Sequence, residues 1–186
     1  MKSIRSFIAI PLPEALCEKI AILQKKLRLE TPELRTVTPH NLHLTLNFLG
    51  AQSEEQLAKI GQFMLSVVSY QAPFLLNLKG LGSFPEGKRP RVVWLGLQPV
   101  EPLVSLQKKL STGLVEFGCF EEKTPYRPHL TLGRFRQPPA DNKTSQYQKD
   151  IGFDPLQVNS IVLYSSRLTP QGAVHQPLTV AGFKGR

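Results

Sequence analysis

Apolar residues recur along the chain with two periods, and the change of period divides it into helices and strands. Between Pro13 and about Leu27, Leu16, Ile20, Leu23 and Leu27 fall at steps of four, three and four, which lays one apolar stripe along a helix. Pro13 suits the first helical turn, where its missing N–H costs nothing. A second helix is predicted from Ser53-Glu54-Glu55-Gln56, which has the form of a capping box; its stripe is Leu57, Ile60, Met64 and Val67. A third carries Leu103, Leu106, Leu110, Leu114 and Phe117 and stops at Gly118. Runs rich in apolar and β-branched residues predict strands at Ser6 to Ile10, Leu42 to Leu49, Phe74 to Leu78, Arg91 to Leu97, His129 to Phe135, Val158 to Ser165 and Val174 to Val180. Gly80 to Pro90 and Pro138 to Lys143 read as loops.

The order strand, helix, strand occurs twice, with shared words. Phe7 to Ile10, a helix containing Gln24-Lys25-Lys26-Leu27, and His43-Leu44-Thr45-Leu46 make one unit. Val92 to Leu95, a helix containing Gln107-Lys108-Lys109-Leu110, and His129-Leu130-Thr131-Leu132 make the other. Residues 1–186 therefore read as a single domain of two lobes, built from a duplicated unit with motifs at 43–46 and 129–132 and related by a pseudo-two-fold axis.

The repeated His-x-Thr-Leu word carries the chemistry. Side chains of a strand alternate faces, so His43 and Thr45 share one face while Leu44 and Leu46 anchor the other. The same parity joins His129 to Thr131 over Leu130 and Leu132. The bland alternative is a pair of ordinary half-buried strands with polar residues toward water. Two copies inside one apparent duplication argue against it. Two imidazoles facing one cleft suit acid–base work near neutral pH, one ring neutral and one protonated. Two threonine hydroxyls beside them can donate to non-bridging oxygens as charge builds there. That set matches in-line displacement at phosphorus without a metal. A zinc site is disfavoured, because no Asp, Glu or Cys stands at ligand spacing beside the two histidines.

Charge changes the picture in one respect. There are 23 Lys and Arg against 14 Asp and Glu, a formal net charge of +9, which favours an anionic partner, nucleic acid before a membrane surface. The two cysteines, Cys17 and Cys119, are too few for a disulfide scaffold and lack CxxC spacing. No apolar run reaches membrane-spanning length, and Pro11 and Pro13 interrupt the N-terminus, so neither a membrane span nor a signal peptide is read. A cytoplasmic monomer is the expectation.

With these residues in view, the chain resembles the 2H phosphoesterase superfamily, and within it the RNA 2′,3′-cyclic phosphodiesterases, also called 2′-5′ RNA ligases. The likeness runs through Arg5-Ser6-Phe7-Ile8-Ala9-Ile10, Leu42 to Gly50, Phe84-Pro85, Pro90 to Gly96, Arg127 to Arg134 and Ser166-Arg167-Leu168 to Gly172. It implies an α+β, bilobal fold, two antiparallel-rich sheets with helices outside, pseudo-two-fold symmetric about a central cleft. It implies hydrolysis of RNA 2′,3′-cyclic phosphate ends to 2′-phosphomonoesters with no cofactor. By resemblance His43 is the proton donor, His129 the proton acceptor, and Thr45 and Thr131 hold the phosphate; the residues alone leave the two histidines interchangeable. Where the family often has a C-terminal Tyr, this chain has His175, so no substrate contact is carried over from that position. Ligation with a ribose hydroxyl in place of water, and a non-catalytic RNA-binding module, are the competing functions.

Among the arginines, Arg134 is the phosphate-binding candidate, since a guanidinium fits phosphate geometry. Strict alternation puts it on the face away from His129, so a bulge or the strand end has to re-aim it. Lys88, Arg89, Arg91, Arg127 and Arg136 are candidates for an electrostatic approach, weighed against a merely solvated surface. Tyr126 and Phe84 are candidates for base stacking, weighed against core packing. His40 reads as a loop histidine exposed to water, weighed against a catalytic role, His175 as structural, weighed against a contact with substrate, and the cysteines as small apolar fillers.

Overall fold

The computed structural model describes residues 3–87, 89–119, 124–139, 152–170 and 172–185. In chain order its elements are β1 (Ile4–Pro11), α1 (Glu14–Glu30), β2 (Leu34–Thr36), β3 (His43–Gln52), α2 (Glu54–Val68), β4 (Phe74–Phe84), β5 (Val92–Gln98), α3 (Glu101–Leu114), β6 (Leu130–Phe135), β7 (Leu156–Val158), β8 (Ser160–Thr169) and β9 (Gly172–Gly182). The fold is α+β, with two antiparallel sheets. One has the order β3-β1-β8-β9 and the other β2-β6-β5-β4-β7.

The apolar stripes face inward. Leu16, Ile20, Leu23 and Leu27 of α1 are buried, as are Leu57, Ile60 and Met64 of α2 and Leu103, Leu106, Leu110 and Leu114 of α3. Ser53 and Gln56 close the capping box at α2, each bonding the other's backbone N–H at 3.2 Å. Pro13 differs from expectation by one position. It is the N-cap of α1, and its carbonyl accepts from the N–H groups of Leu16 and Cys17 at 3.0 Å. The third helix tightens into a 3-10 turn at Val115–Phe117 before Gly118 turns the chain with φ 73°. Cys17 and Cys119 are buried free thiols.

Gly80 to Pro90 is not all loop. Strand β4 continues through Phe84, because Gly80, at φ 76°, sits in a register shift between Leu78 and Leu81. Two residues there oppose one on β5, so the glycine marks a bulge inside a strand and not its end. Strands β2 and β7 have three residues each, too short for any period to announce them. Of the second expected loop, Pro138 and Pro139 lie off the strands, and 140–143 fall outside the described residues.

The two sheets exchange helices. Helix α1 follows β1 of the first sheet, yet it packs on β2 and β6 of the second. There the buried Gln24 donates to the carbonyls of Leu132 and Val37, both at 2.8 Å. Helix α3 follows β5 of the second sheet and touches β3 of the first. Its buried Gln107 donates to Ser111 Oγ at 2.8 Å, and Asn47 of β3 donates to the same oxygen at 2.6 Å. The glutamines are the first letters of the repeated Gln-Lys-Lys-Leu words. Gln24 thereby holds α1 on the strand of the second motif, where a buried carbonyl left unpaired costs about 1–3 kcal/mol, whereas Gln107 bonds within its own helix and Asn47 makes the link between β3 and α3. One continuous buried cluster draws on both sheets and all three helices. Among the described residues no helix is long and apolar enough to cross a membrane.

Candidate active site

Strand parity sets the direction of both motifs. On β3, Leu44 and Leu46 are buried, while His43 and Thr45 are half-buried. At β6, Leu130 and Leu132 are fully buried beneath half-buried His129 and Thr131. The two strands touch, and Tyr126 ties them further by donating its hydroxyl to the Thr45 carbonyl at 2.9 Å. An open cavity of about 400 Å³ lies between them. Thr45, Phe48, Phe84, Tyr126, Arg127 and His129 are among its lining residues. His43, Thr131 and Arg134 are not among the lining residues.

Both imidazoles are held in the same way. Nδ1 of His43 lies 2.7 Å from the carbonyl of Asn41, and Nδ1 of His129 lies 2.7 Å from the carbonyl of Arg127. A carbonyl only accepts, so each Nδ1 carries hydrogen and each Nε2 is left for other work. The rings are flanked by aromatics. His43 packs against Phe7 at 4.7 Å between centroids and meets the edge of His175 at 5.4 Å. His129 meets Phe84 edge-on at 5.1 Å, with Trp94 at 6.3 Å.

Burial among these rings lowers both basicities. The pKa of His43 falls from 6.5 to about 4, chiefly by desolvation; the Asn41 carbonyl opposes the fall and His175 adds to it. The pKa of His129 is lowered by desolvation, against the Arg127 carbonyl and with a contribution from the charge of Arg134. In the free protein both rings are therefore neutral at pH 7, with a lone pair on each Nε2.

Two bulges re-phase the strands at the same place in each motif. Thr45 pairs with Ala9 while Asn47 pairs with Ile8, which leaves Leu46 extra. Thr131 pairs with Trp94 while Gly133 pairs with Val93, which leaves Leu132 extra. In both strands two consecutive residues are then buried, and the next, Phe48 or Arg134, is exposed. Gly133 is needed at its bulge, since a Cβ there would lie 2.8 Å from the Arg35 carbonyl. The bulge turns Arg134 onto the face of His129 and Thr131, near enough for its charge to act on the His129 ring. Neither bulge leaves a mark in hydrophobic period. The sequence pattern therefore misses Phe48, which simple alternation assigns to the core and which is 59% exposed in the cavity.

The remaining candidates divide. Phe84 lines the cavity. Tyr126 lines it too, and its hydroxyl is engaged by the Thr45 carbonyl. Arg127 also lines it, with a long 3.8 Å contact to Glu86. Arg89, Arg91 and Arg136 are exposed and do not line the cavity. Lys88 falls outside the described residues. His40 is exposed in a 3-10 turn, 3.3 Å from Thr38 Oγ1. His175, for which the sequence leaves a structural role and a contact with substrate both open, comes up beside His43, and its own Nδ1 is buried without a hydrogen-bond partner. Among the described residues no three of His, Cys, Asp and Glu converge as metal ligands.

Known proteins share this arrangement of chain. Residues 12–169 match the family described as the 2′-5′ RNA ligase superfamily. The RNA 2′,3′-cyclic phosphodiesterase of Thermotoga maritima is 34% identical over 184 residues, covering 97% of this chain and 96% of the relative. That of Methanocaldococcus jannaschii is 34% identical over 177 residues, covering 92% and 96%. Among solved structures, a Thermus thermophilus protein matches with a TM-score of 0.84 at 30% identity, covering 98% of this chain and 99% of that one. E. coli LigT complexed with 3′-AMP matches at 0.77 and 30% identity, covering 97% and 98%. A family match spanning both His-x-Thr-Leu words, joined to full-length likeness in sequence and in fold, means that the chain belongs to the 2′-5′ RNA ligase superfamily.

Proposed function

We propose that the protein hydrolyses 2′,3′-cyclic phosphate ends of RNA to 2′-phosphomonoesters, by two-histidine acid–base catalysis that needs no metal. The observation that carries the reading is the matched anchoring of the two imidazoles, each with Nδ1 on the carbonyl two residues earlier and Nε2 free. His129 Nε2 takes a proton from water as its oxygen attacks phosphorus. The bond from phosphorus to O3′ breaks, and protonated His43 gives its Nε2 proton to O3′. Solvent then returns both rings to their starting states. The hydroxyls of Thr45 and Thr131 donate to the non-bridging oxygens, and Arg134 balances the charge gathering there. Protonation of His43 is drawn up by the bound phosphate anion, which opposes the desolvation of the empty site.

The two-lobe, duplicated design is part of this reading. The strand orders β3-β1-β8-β9 and β2-β6-β5-β4-β7, alike apart from the added β2, and the matching bulges support it. The family description favours a second use of the same groups, with a ribose hydroxyl replacing water to make a 2′-5′ linkage. Water's abundance favours hydrolysis. A cytoplasmic monomer completes the reading; two free buried thiols suit a reducing compartment, and sedimentation of the purified chain checks its mass.

The test is turnover of a cyclic-ended oligonucleotide in excess EDTA by wild type, H43A and H129A. The expected result is a 2′-phosphate product from wild type and a loss of about 10³-fold in each variant. Activity lost to the chelator and restored by zinc or magnesium contradicts the metal-free mechanism, and a 3′-phosphate product contradicts the assignment of His43 as donor to O3′.

A further inference from the structure

The edge of the second sheet carries a second arginine beside the first. Strand β2 pairs antiparallel with β6 in the register Leu34 to Phe135, Arg35 to Arg134 and Thr36 to Gly133. Residues directly opposite share a face, with Cβ atoms about 5 Å apart. Leu34 and Phe135 are buried together on the core side, which leaves Arg35 and Arg134 exposed together on the other, the face of His129 and Thr131. Like charges in direct opposition destabilise a sheet. Among the described residues nothing relieves this pair, since neither guanidinium has a carboxylate within ion-pair distance. The row continues inward through Val92 to Phe84, which lines the cavity.

We propose that Arg35, with Arg134 bridging between it and the cyclic phosphate, forms a subsite for a phosphodiester, the one on the 5′ side of the nucleoside that bears the cyclic phosphate, so that the edge of the second sheet selects oligonucleotide ends over cyclic mononucleotides. This rests on the reading of the cleft as a cyclic phosphodiesterase site. A 2′,3′-cyclic phosphate closes the 3′ end of a strand, so the next phosphate along the chain belongs to the preceding linkage. From the Thr131 rung, Arg134 lies one face-repeat along β6, about 7 Å, and Arg35 one strand spacing further, about 4.8 Å. Two flexible guanidiniums at that remove can grip one phosphodiester with paired N–H donors. An anion between them turns the repulsion of the pair into binding.

The experiment compares adenosine 2′,3′-cyclic phosphate with the dinucleotide ending in the same group, using wild type, R35Q and R35K. Wild type is expected to favour the dinucleotide in kcat/KM. R35Q lowers that preference about tenfold, R35K restores part of it, and the slope of log KM against log salt on the dinucleotide falls by about one. Without ligand, R35Q melts no lower than wild type, since it removes a repulsion. Equal losses on both substrates, or no loss on either, overturn the proposal and leave Arg35 as a charge that merely blunts a sheet edge. Binding of a fluorescent dinucleotide ending in a 2′-phosphate gives an independent readout. If wild type turns over neither substrate, the cyclic phosphodiesterase reading fails, and an unchanged affinity in R35Q then sinks the arginine subsite as well.

Discussion

The two sheets meet the cleft with the same frame and different faces. One rung beyond each motif threonine, the first sheet presents Phe48, paired to Phe7 and through it to Tyr164. The second presents Arg134, flanked by Arg35 on one side and by Val92 and Phe84 on the other. Both rungs owe their exposure to a bulge at the same point of the motif. What is repeated is the part that aims imidazoles and hydroxyls: the buried leucines and the carbonyl under each Nδ1. What differs is the part that meets the rest of a ligand. An aromatic row suits the flat face of a base, and a guanidinium row suits phosphate. A frame held by parity and packing can thus keep its reacting groups alike while its neighbouring rungs diverge.

That contrast is broken most severely at Arg134. On the proposed mechanism R134Q removes a cation beside the phosphate, and it is expected to lower kcat about 10²-fold, with a smaller change in KM. F48A at the matching position removes a stacking surface. It is expected to raise KM about tenfold and to change kcat little, because stacking is felt equally before and during reaction. Steady-state kinetics on a cyclic-ended dinucleotide separate the two, and an effect of the same kind from both variants contradicts the division of labour between the sheets.

The histidines sharpen the comparison by a smaller effect. As the proposed donor, His43 must hold a proton, yet burial sets its pKa at about 4 in the free protein. As the proposed base, His129 must be neutral, and its pKa is also depressed. With pH, kcat/KM therefore rises as His129 deprotonates, falls as His43 does, and has its maximum below pH 6.5. Bound phosphate lifts the pKa of His43, so the alkaline limb of kcat lies at higher pH than that of kcat/KM. Coincident limbs, or an optimum of kcat/KM above neutrality, contradict these roles.

Much of this frame was legible in the sequence, and the residues show why part was not. The stripes of α1, α2 and α3 are long enough for a 3.6-residue period to emerge. The alternation of His43, Leu44, Thr45 and Leu46 fixes a strand face in four letters. The exposure of Phe48 and Arg134 depends on one extra residue in each strand, and a bulge is a property of pairing with β1 or β5 that no single strand's pattern contains. Gly80 misleads for the same reason, since a glycine inside a bulged strand looks like the start of a loop. Strand β2 is three residues long and exists because β6 offers it an edge, so the pairing of Arg35 with Arg134 is visible only in the assembled sheet. His175 reaches His43 through the pairing of β9 with β8, a contact between residues 132 positions apart in the chain.

The most direct test of the central claim is a titration of protein carrying ¹⁵N-labelled histidine with a nucleoside 2′-monophosphate, followed by NMR. Nε2 of both His43 and His129 is predicted to shift along one binding curve with one dissociation constant, while both Nδ1 atoms stay protonated throughout. If only one ring responds, or the two respond with different constants, the imidazoles do not serve a common phosphorus atom.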